Sequence, residues 1–405
     1  MPSLPGVHHD QKDRDADRRQ AMVAAVRSGR SQQEVARQFR VSPSTVNHWV
    51  QHARGRRLDR VDWHDRSRVP RSTQRTDASI EAQVLAVRRE LEHSSDLGFH
   101  GAEAIHQVLS ARKVAGLPTV RTINRILRRS GILDGQARVR RRPPPVGWYL
   151  PEVADGRREL DCFDVVEGLV IKGGPQVEVL NGISLHGGLA GSWPTEASVT
   201  AKFVVKCLIE HWKEVGLPGY AQFDNDTIFQ GPHAHPDVVG RVTRLCLSLG
   251  VVPVFVPPRE MGFQAMMEGY NGTWQAKVWS RFEHQGLTAL QAQSARFVAA
   301  HRRHRSARIE SAPCRRTFPE RWVLNLQAHP RGRLVYIRRT DAVGKVELLG
   351  HRFEVDGQWL NRLVRAEVDL NGGVVRFHRL RRREPSEQPL LKQVKHRLPK
   401  RKFHE

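Results

Sequence analysis

A chain of 405 residues is too long for one ordinary hydrophobic core, so several modules are expected. Its formal charge of +24 accompanies 39% hydrophobic residues, which excludes a disordered basic chain and places the charge on folded domains. So large a net charge repels itself unless a polyanion neutralises it, and nucleic acid is the expected partner. Cys162, Cys207, Cys246 and Cys314 show no C-x-x-C spacing, so neither a disulfide framework nor a zinc ribbon is indicated. His233 and His235 flank Ala234, but no cysteine is spaced to complete a zinc site with them. The N-terminus lacks an apolar signal core and no run approaches the length of a membrane span, so a cytoplasmic, nucleoid-associated protein is expected.

In chain order, residues 1–60 read as a helix-turn-helix module. Ser31-Gln32-Gln33-Glu34 is a capping box, and the helix it opens carries Val35, Ala36 and Phe39 inward. Ser42-Pro43 supplies a second start, an N-cap followed by proline at the first helical position, and Val46, Trp49 and Val50 point to the core. Ser44, Thr45, Asn47 and His48 then project from the second helix as short polar groups suited to base edges in the major groove. Arg40 holds the turn position where glycine is usual, which implies strain if its φ is positive.

Residues 61–135 read as a second helical module, similar to a helix-turn-helix. A helix over 78–93 carries Ile80, Val84, Leu85 and Val87, another carries Ile105, Val108 and Leu109, and a third opens at Pro118-Thr119. Its exposed face would present Arg121, Asn124, Arg125 and Arg128 to DNA, or to solvent alone. The arginine- and proline-rich stretch within 136–150 reads as a stiff, phosphate-tracking linker.

From residue 151 the periodicity changes. Strands are expected at 162–166, 176–183, 186–193, 220–223 and 251–256, with amphipathic helices between the last three, which implies a mixed sheet covered by helices on both faces. Asp164 lies within the first strand, Asp224 ends a later one, and a helix over 262–282 brings Glu268 back over that edge. Two carboxylates about 4 Å apart repel by roughly 4 kcal/mol at an effective dielectric of 20. Two Mg²⁺ or Mn²⁺ ions would neutralise such a cluster and support in-line phosphoryl transfer. Asn271 and Gln275 share a face of the Glu268 helix and are candidate contacts to a DNA end, whereas Trp274 and Trp279 are read as core.

Three segments carry a family resemblance: Glu159-Leu160-Asp161-Cys162-Phe163-Asp164, Phe223-Asp224-Asn225-Asp226, and Met267-Glu268-Gly269-Tyr270-Asn271. Together, over residues 150–319, they resemble the RNase H-like catalytic core of bacterial insertion-sequence DDE transposases and retroviral integrases. That resemblance implies Asp164, Asp224 and Glu268 as catalytic, metal-binding residues. It also implies an oligomer acting on element terminal repeats and target DNA, with no small-molecule cofactor. Asp226 stands where the family has glycine and competes with Asp224. Asp161 competes with Asp164, although strand alternation puts them on opposite faces. Glu260 follows Asp224 at the family's usual spacing, but it precedes the helix and lacks Asn at +3. The longer interval to Glu268 is explained if residues 231–236 are an inserted loop. The contrasting reading is a DNA-binding protein with a degenerate, inactive core.

Five short strands between 334 and 377 suggest a small SH3-like β-barrel over 330–380, similar to the C-terminal domains of this family. A basic tail over 381–405 completes the chain. The expected architecture is multidomain: helical N-terminal modules, an α/β RNase H-like core with a mixed sheet over 151–320, and the barrel.

Overall fold

The computed structural model describes residues 7–65, 76–95, 98–133, 146–196, 198–232, 235–258, 260 and 262–403. The arginine-rich part of the expected linker and the His233–Ala234 pair lie outside these residues. The chain divides into two compact units, residues 1–77 and 78–405.

The first unit holds α1 (Val7–Arg27), α2 (Gln32–Phe39) and α3 (Pro43–His52), followed by a 3₁₀ turn at Leu58–Arg60. The capping box at Ser31 and Glu34 is formed, and Ser42 caps α3 by accepting from Thr45 N–H. Met22, Val23, Val35, Val46, Trp49 and Trp63 build the core of this unit. Arg40 takes φ 51°, the left-handed geometry its position between the helices demands.

The second unit begins with α4 (Ala78–Ser94), α5 (Ala102–Ala111) and α6 (Val120–Arg129), packed around Val84, Val87, Ile105, Leu109, Ile123 and Leu127. After α7 (Pro151–Ala154) come β1 (Leu160–Val170), β2 (Gln176–Ser184) and β3 (Ala190–Glu196). The third strand starts four residues later than expected, because residues around His186 turn instead. Then follow α8 (Ala201–Val215), β4 (Tyr220–Phe223), α9 (Thr227–Gln230), α10 (Arg241–Ser248) and β5 (Val252–Phe255). The Glu268 helix, α11 (Ala265–Trp274), passes into a π turn at Gln275–Trp279. Two further helices, α12 (Leu287–His304) and α13 (Ser306–Glu310), were not expected from the sequence. Gln291 and Arg302 of α12 donate to the carbonyls of Pro194 and Ala190, so this helix covers β3.

Strands β1, β2 and β3 pair antiparallel, while β4 and β5 add parallel to β1. This gives the order β3-β2-β1-β4-β5, a mixed sheet as expected, with helices on both faces. One face packs Phe163, Leu208, Trp212, Phe223 and Leu245 beneath α8 and α10; the other packs Cys162, Val179, Met267, Trp274 and Phe297 beneath α11 and α12.

The separate barrel is a correction. The C-terminal strands β6 (Arg333–Arg339), β9 (Leu363–Asp369), β10 (Val374–Arg379) and β11 (Leu390–Lys395) extend the same sheet from β5, and β7 (Lys345–Leu348) and β8 (His351–Glu354) form a hairpin. No closed barrel occurs among the described residues. Strand β5 would otherwise be an edge, and β6 pairs with it through Val254–Val335 and Phe255–Tyr336. The tail likewise contributes β11, paired along β10.

Candidate active site

Strand phase separates the acids of β1. Phe163 enters the core beneath α8 and Cys162 the opposite core, so Asp161 faces α8 and Asp164 faces α11. Asp161 is buried and fully used: Arg315 grips it through two hydrogen bonds of 2.9 and 2.6 Å, and Trp212 Nε1 donates at 3.0 Å. Burial would raise its pKa, but the Arg315 charge and these hydrogen bonds hold it below the usual aspartate range.

Asp164 has the opposite surroundings. The parallel register pairs Cys162 with Gln222, and continuing it by two residues brings Asp164 level with Asp224 at the end of β4. Burial, reinforced by the Asp224 charge, pushes Asp164 up to about 6, against the pull of a 2.8 Å hydrogen bond from Asn271 Nδ2. Asp224 is also raised, chiefly by burial, with the charges of Asp226 and Glu167 adding to it. Whereas Asp161 has Arg315 and Glu260 has Arg339, no described lysine or arginine pairs with Asp164, Asp224 or Glu268.

Glu268 is exposed in the first turn of α11. It lines an open cavity of about 470 Å³ together with Asp224, Asn225, Asp226, Val256, Glu260 and Gln264. The competing acids have other partners. Asp226 caps α9 by accepting from Ile228 N–H at 2.8 Å, and its own N–H donates to Asp224 Oδ1 at 2.9 Å. Glu260 forms an ion pair with Arg339. In the long interval before Glu268, the described residues 231–232 and 235–240 are drawn together at their ends by Gly240 N–H donating to Gln230 O at 2.7 Å. Gly231 (φ 102°) must be glycine there, since a Cβ would lie 2.8 Å from Gly240 Cα.

Several supporting groups escaped sequence reasoning. Asn181 of β2 is fully buried and donates to Asn271 Oδ1 at 2.9 Å, completing a relay from Asn181 through Asn271 to Asp164. Asn271 is thus turned toward Asp164, while Gln275 is exposed and Trp274 lies wholly in the core. Arg338 of β6 donates to Asn225 Oδ1 at 2.8 Å and to Val256 O at 3.1 Å, and Asn225 Nδ2 donates to Val256 O at 2.6 Å. The turn carrying Asp224 is therefore clamped by a C-terminal strand. Glu167 sits where the β1–β2 register shifts, beside Gly168 (φ 73°), and that glycine was the available signal for the bulge.

The remaining predicted residues lie on the helical modules. On α3, Ser44, Asn47 and His48 are exposed, while Thr45 is half-buried with its hydroxyl 2.8 Å from Ser42 Oγ. Arg121, Asn124, Arg125 and Arg128 are all exposed on α6.

Residues 13–61 match the family model of a homeodomain-like domain. No curated protein matches the chain. Among solved structures it is similar to the catalytic core domain of BIV integrase, at 17% identity and a TM-score of 0.26 over 35% of this chain and 81% of that one. It is also similar to the simian T-cell lymphotropic virus intasome in complex with PP2A regulatory subunit B56 gamma, at 11% identity and a TM-score of 0.32 over 72% and 91%. A homeodomain-like segment precedes a mixed sheet, and no described helix is long and apolar enough to cross a membrane.

Proposed function

We propose that this chain is a DDE transposase that hydrolyses a phosphodiester at the ends of a DNA element and transfers the freed strand into target DNA. The observation that carries this reading is the pairing of two half-buried acids, Asp164 and Asp224, without a described cation, beside a cavity that Glu268 lines. An all-oxygen ligand set with unbalanced negative charge fits a hard divalent ion such as Mg²⁺ or Mn²⁺. Two such ions held by Asp164, Asp224 and Glu268 would neutralise the cluster, activate the attacking oxygen and stabilise the leaving one.

The chain's own groups prepare that geometry. Asn271 orients Asp164 Oδ2, and Arg338 acts through Asn225 to hold the Asp224 turn. In the first step a water oxygen bonds to phosphorus as the 3′ oxygen leaves with a proton. In the second, that 3′-OH attacks a target phosphodiester and displaces a target 3′ oxygen, with no covalent protein intermediate. The exposed faces of α3 and α6 would read and track the element ends, and two ends held together call for an oligomer. Asp226, which could mark a degenerate core, caps α9, and that role is compatible with an active site built on Asp224.

The test is Mn²⁺-dependent nicking of DNA carrying the candidate element ends, taken as any inverted repeats found to flank the gene. Wild type is expected to nick, and Asp224→Ala and Glu268→Ala to lose at least about 10³-fold, roughly 4 kcal/mol of barrier. A wild type that does not nick, or variants that nick equally well, would overturn the reading.

A further inference from the structure

Another cluster of ligand-type side chains forms where three distant segments meet. Asp237 lies on the 231–240 loop, His351 opens β8, and His396 follows β11. Asp237 Oδ1 is 2.8 Å from His396 Nε2 and 3.1 Å from His351 Nε2. The two imidazoles meet edge to face with centroids 4.9 Å apart. The Asp237 and His396 side chains are only 11% and 13% exposed.

His351 supplies the informative atom. Its ring is partly open to solvent, yet its Nε2 is buried and makes no hydrogen bond, because the approach to Asp237 is not aligned for one. Its contact with Asp237 is an ion pair only when the imidazole is protonated, and a cation at the point where all three atoms converge would satisfy the neutral ring nitrogen. The loop is built to reach this point. Asp237 N–H donates to Leu349 O at 2.9 Å, and Asp237 itself adopts φ 63°. Gly350 (φ 71°) lets Pro236 approach, since a Cβ there would lie 2.9 Å from Pro236 Cα.

We propose that Asp237, His351 and His396 bind one transition-metal ion of the zinc class, which staples the inserted loop to the β7–β8 hairpin and the C-terminal strand. Two imidazole nitrogens and one carboxylate oxygen select a borderline metal over Mg²⁺ or Ca²⁺, which favour oxygen ligands. Tetrahedral Zn²⁺ with ligands at about 2.0–2.1 Å sets neighbouring ligand atoms roughly 3.3 Å apart. The observed 2.8 and 3.1 Å therefore need to open by a few tenths of an ångström. A water would be the fourth ligand of a tetrahedral ion held by these three groups. None of the three lines the cavity of Asp224 and Glu268.

The experiment uses full-length, untagged protein, stripped with a chelator and titrated with Zn²⁺ against a chromophoric competitor. One tight equivalent is expected in wild type and in Asp224→Ala/Glu268→Ala. His351→Gln and Asp237→Asn should weaken it at least 100-fold, and zinc should raise the Tm of wild type but not of either variant. Co²⁺-loaded wild type, which needs no variant to fold, should show the intense visible bands of a four-coordinate ion. The proposal is overturned if wild type holds no tighter equivalent than folded His351→Gln. It is likewise overturned if the equivalent disappears with Asp224 and Glu268, or if the Co²⁺ bands are those of a six-coordinate ion.

Discussion

Asp161 and Asp164 stand three residues apart on one strand, and the two faces of the sheet treat them in opposite ways. Toward α8, Asp161 is enclosed by Arg315 and Trp212, and its charge is balanced. Toward α11, Asp164 has an amide from Asn271 and the like charges of Asp224 and Glu167, and its pKa rises to about 6. A buried acid with its own guanidinium is part of the scaffold. Acids crowded together without a described lysine or arginine lack that balance, and on the proposed reading a metal ion would supply it.

The largest effect should come from breaking the balanced face. Arg315→Ala leaves Asp161 buried and unpaired and is expected to destabilise the fold by about 3–5 kcal/mol. Chemical denaturation checks it; a loss near zero would remove Asp161 from the scaffold. On the other face, Asn271→Ala should lower nicking by about 10–100-fold and raise the Mn²⁺ concentration required. Its cost in stability should be only about 1 kcal/mol, and an unchanged metal requirement would separate Asn271 from Asp164.

Acid should act on the two faces with opposite sign. Asp164 has a raised pKa in the fold, so without metal its charge destabilises the protein above about pH 6. That penalty is relieved as pH falls from 6 toward the ordinary aspartate value of about 3.9. Asp161 has a depressed pKa, so its contribution is present above that ordinary value and disappears as pH falls through its folded pKa. Denaturation in EDTA across this range, with Asp164→Asn as the reference, should show an Asp164 contribution that shrinks as pH drops from 7 to 5. A contribution that grows would reverse the assignment.

Much of this was legible where the signal is local. The caps at Ser31 and Ser42 and the strand phase separating Asp161 from Asp164 follow from short-range rules. The acids stood out as a pattern, and their competitors were sorted by helix and strand context. What escaped depends on pairing between distant segments. The same short C-terminal strands could close a barrel or prolong a sheet, and the two-residue bridge from β5 to β6 decides it. Asn181 and Arg338 reach the site through strand register, and Asp237, His351 and His396 share no sequence motif. Helix α12 was missed because its apolar stripe is thin, with Leu290 and Phe297 its large buried hydrophobics.

The contrast between the two faces is tested most directly by Asp164→Asn, followed by thermal unfolding with EDTA and with Mn²⁺ at pH 7.5. Without metal the variant should melt above wild type, stabilised by about 2 kcal/mol through removal of an uncompensated charge. Mn²⁺ should then raise the Tm of wild type and leave the variant nearly unmoved. A variant that melts below wild type in EDTA, or gains as much from Mn²⁺, would contradict the assignment of Asp164 to a cation site.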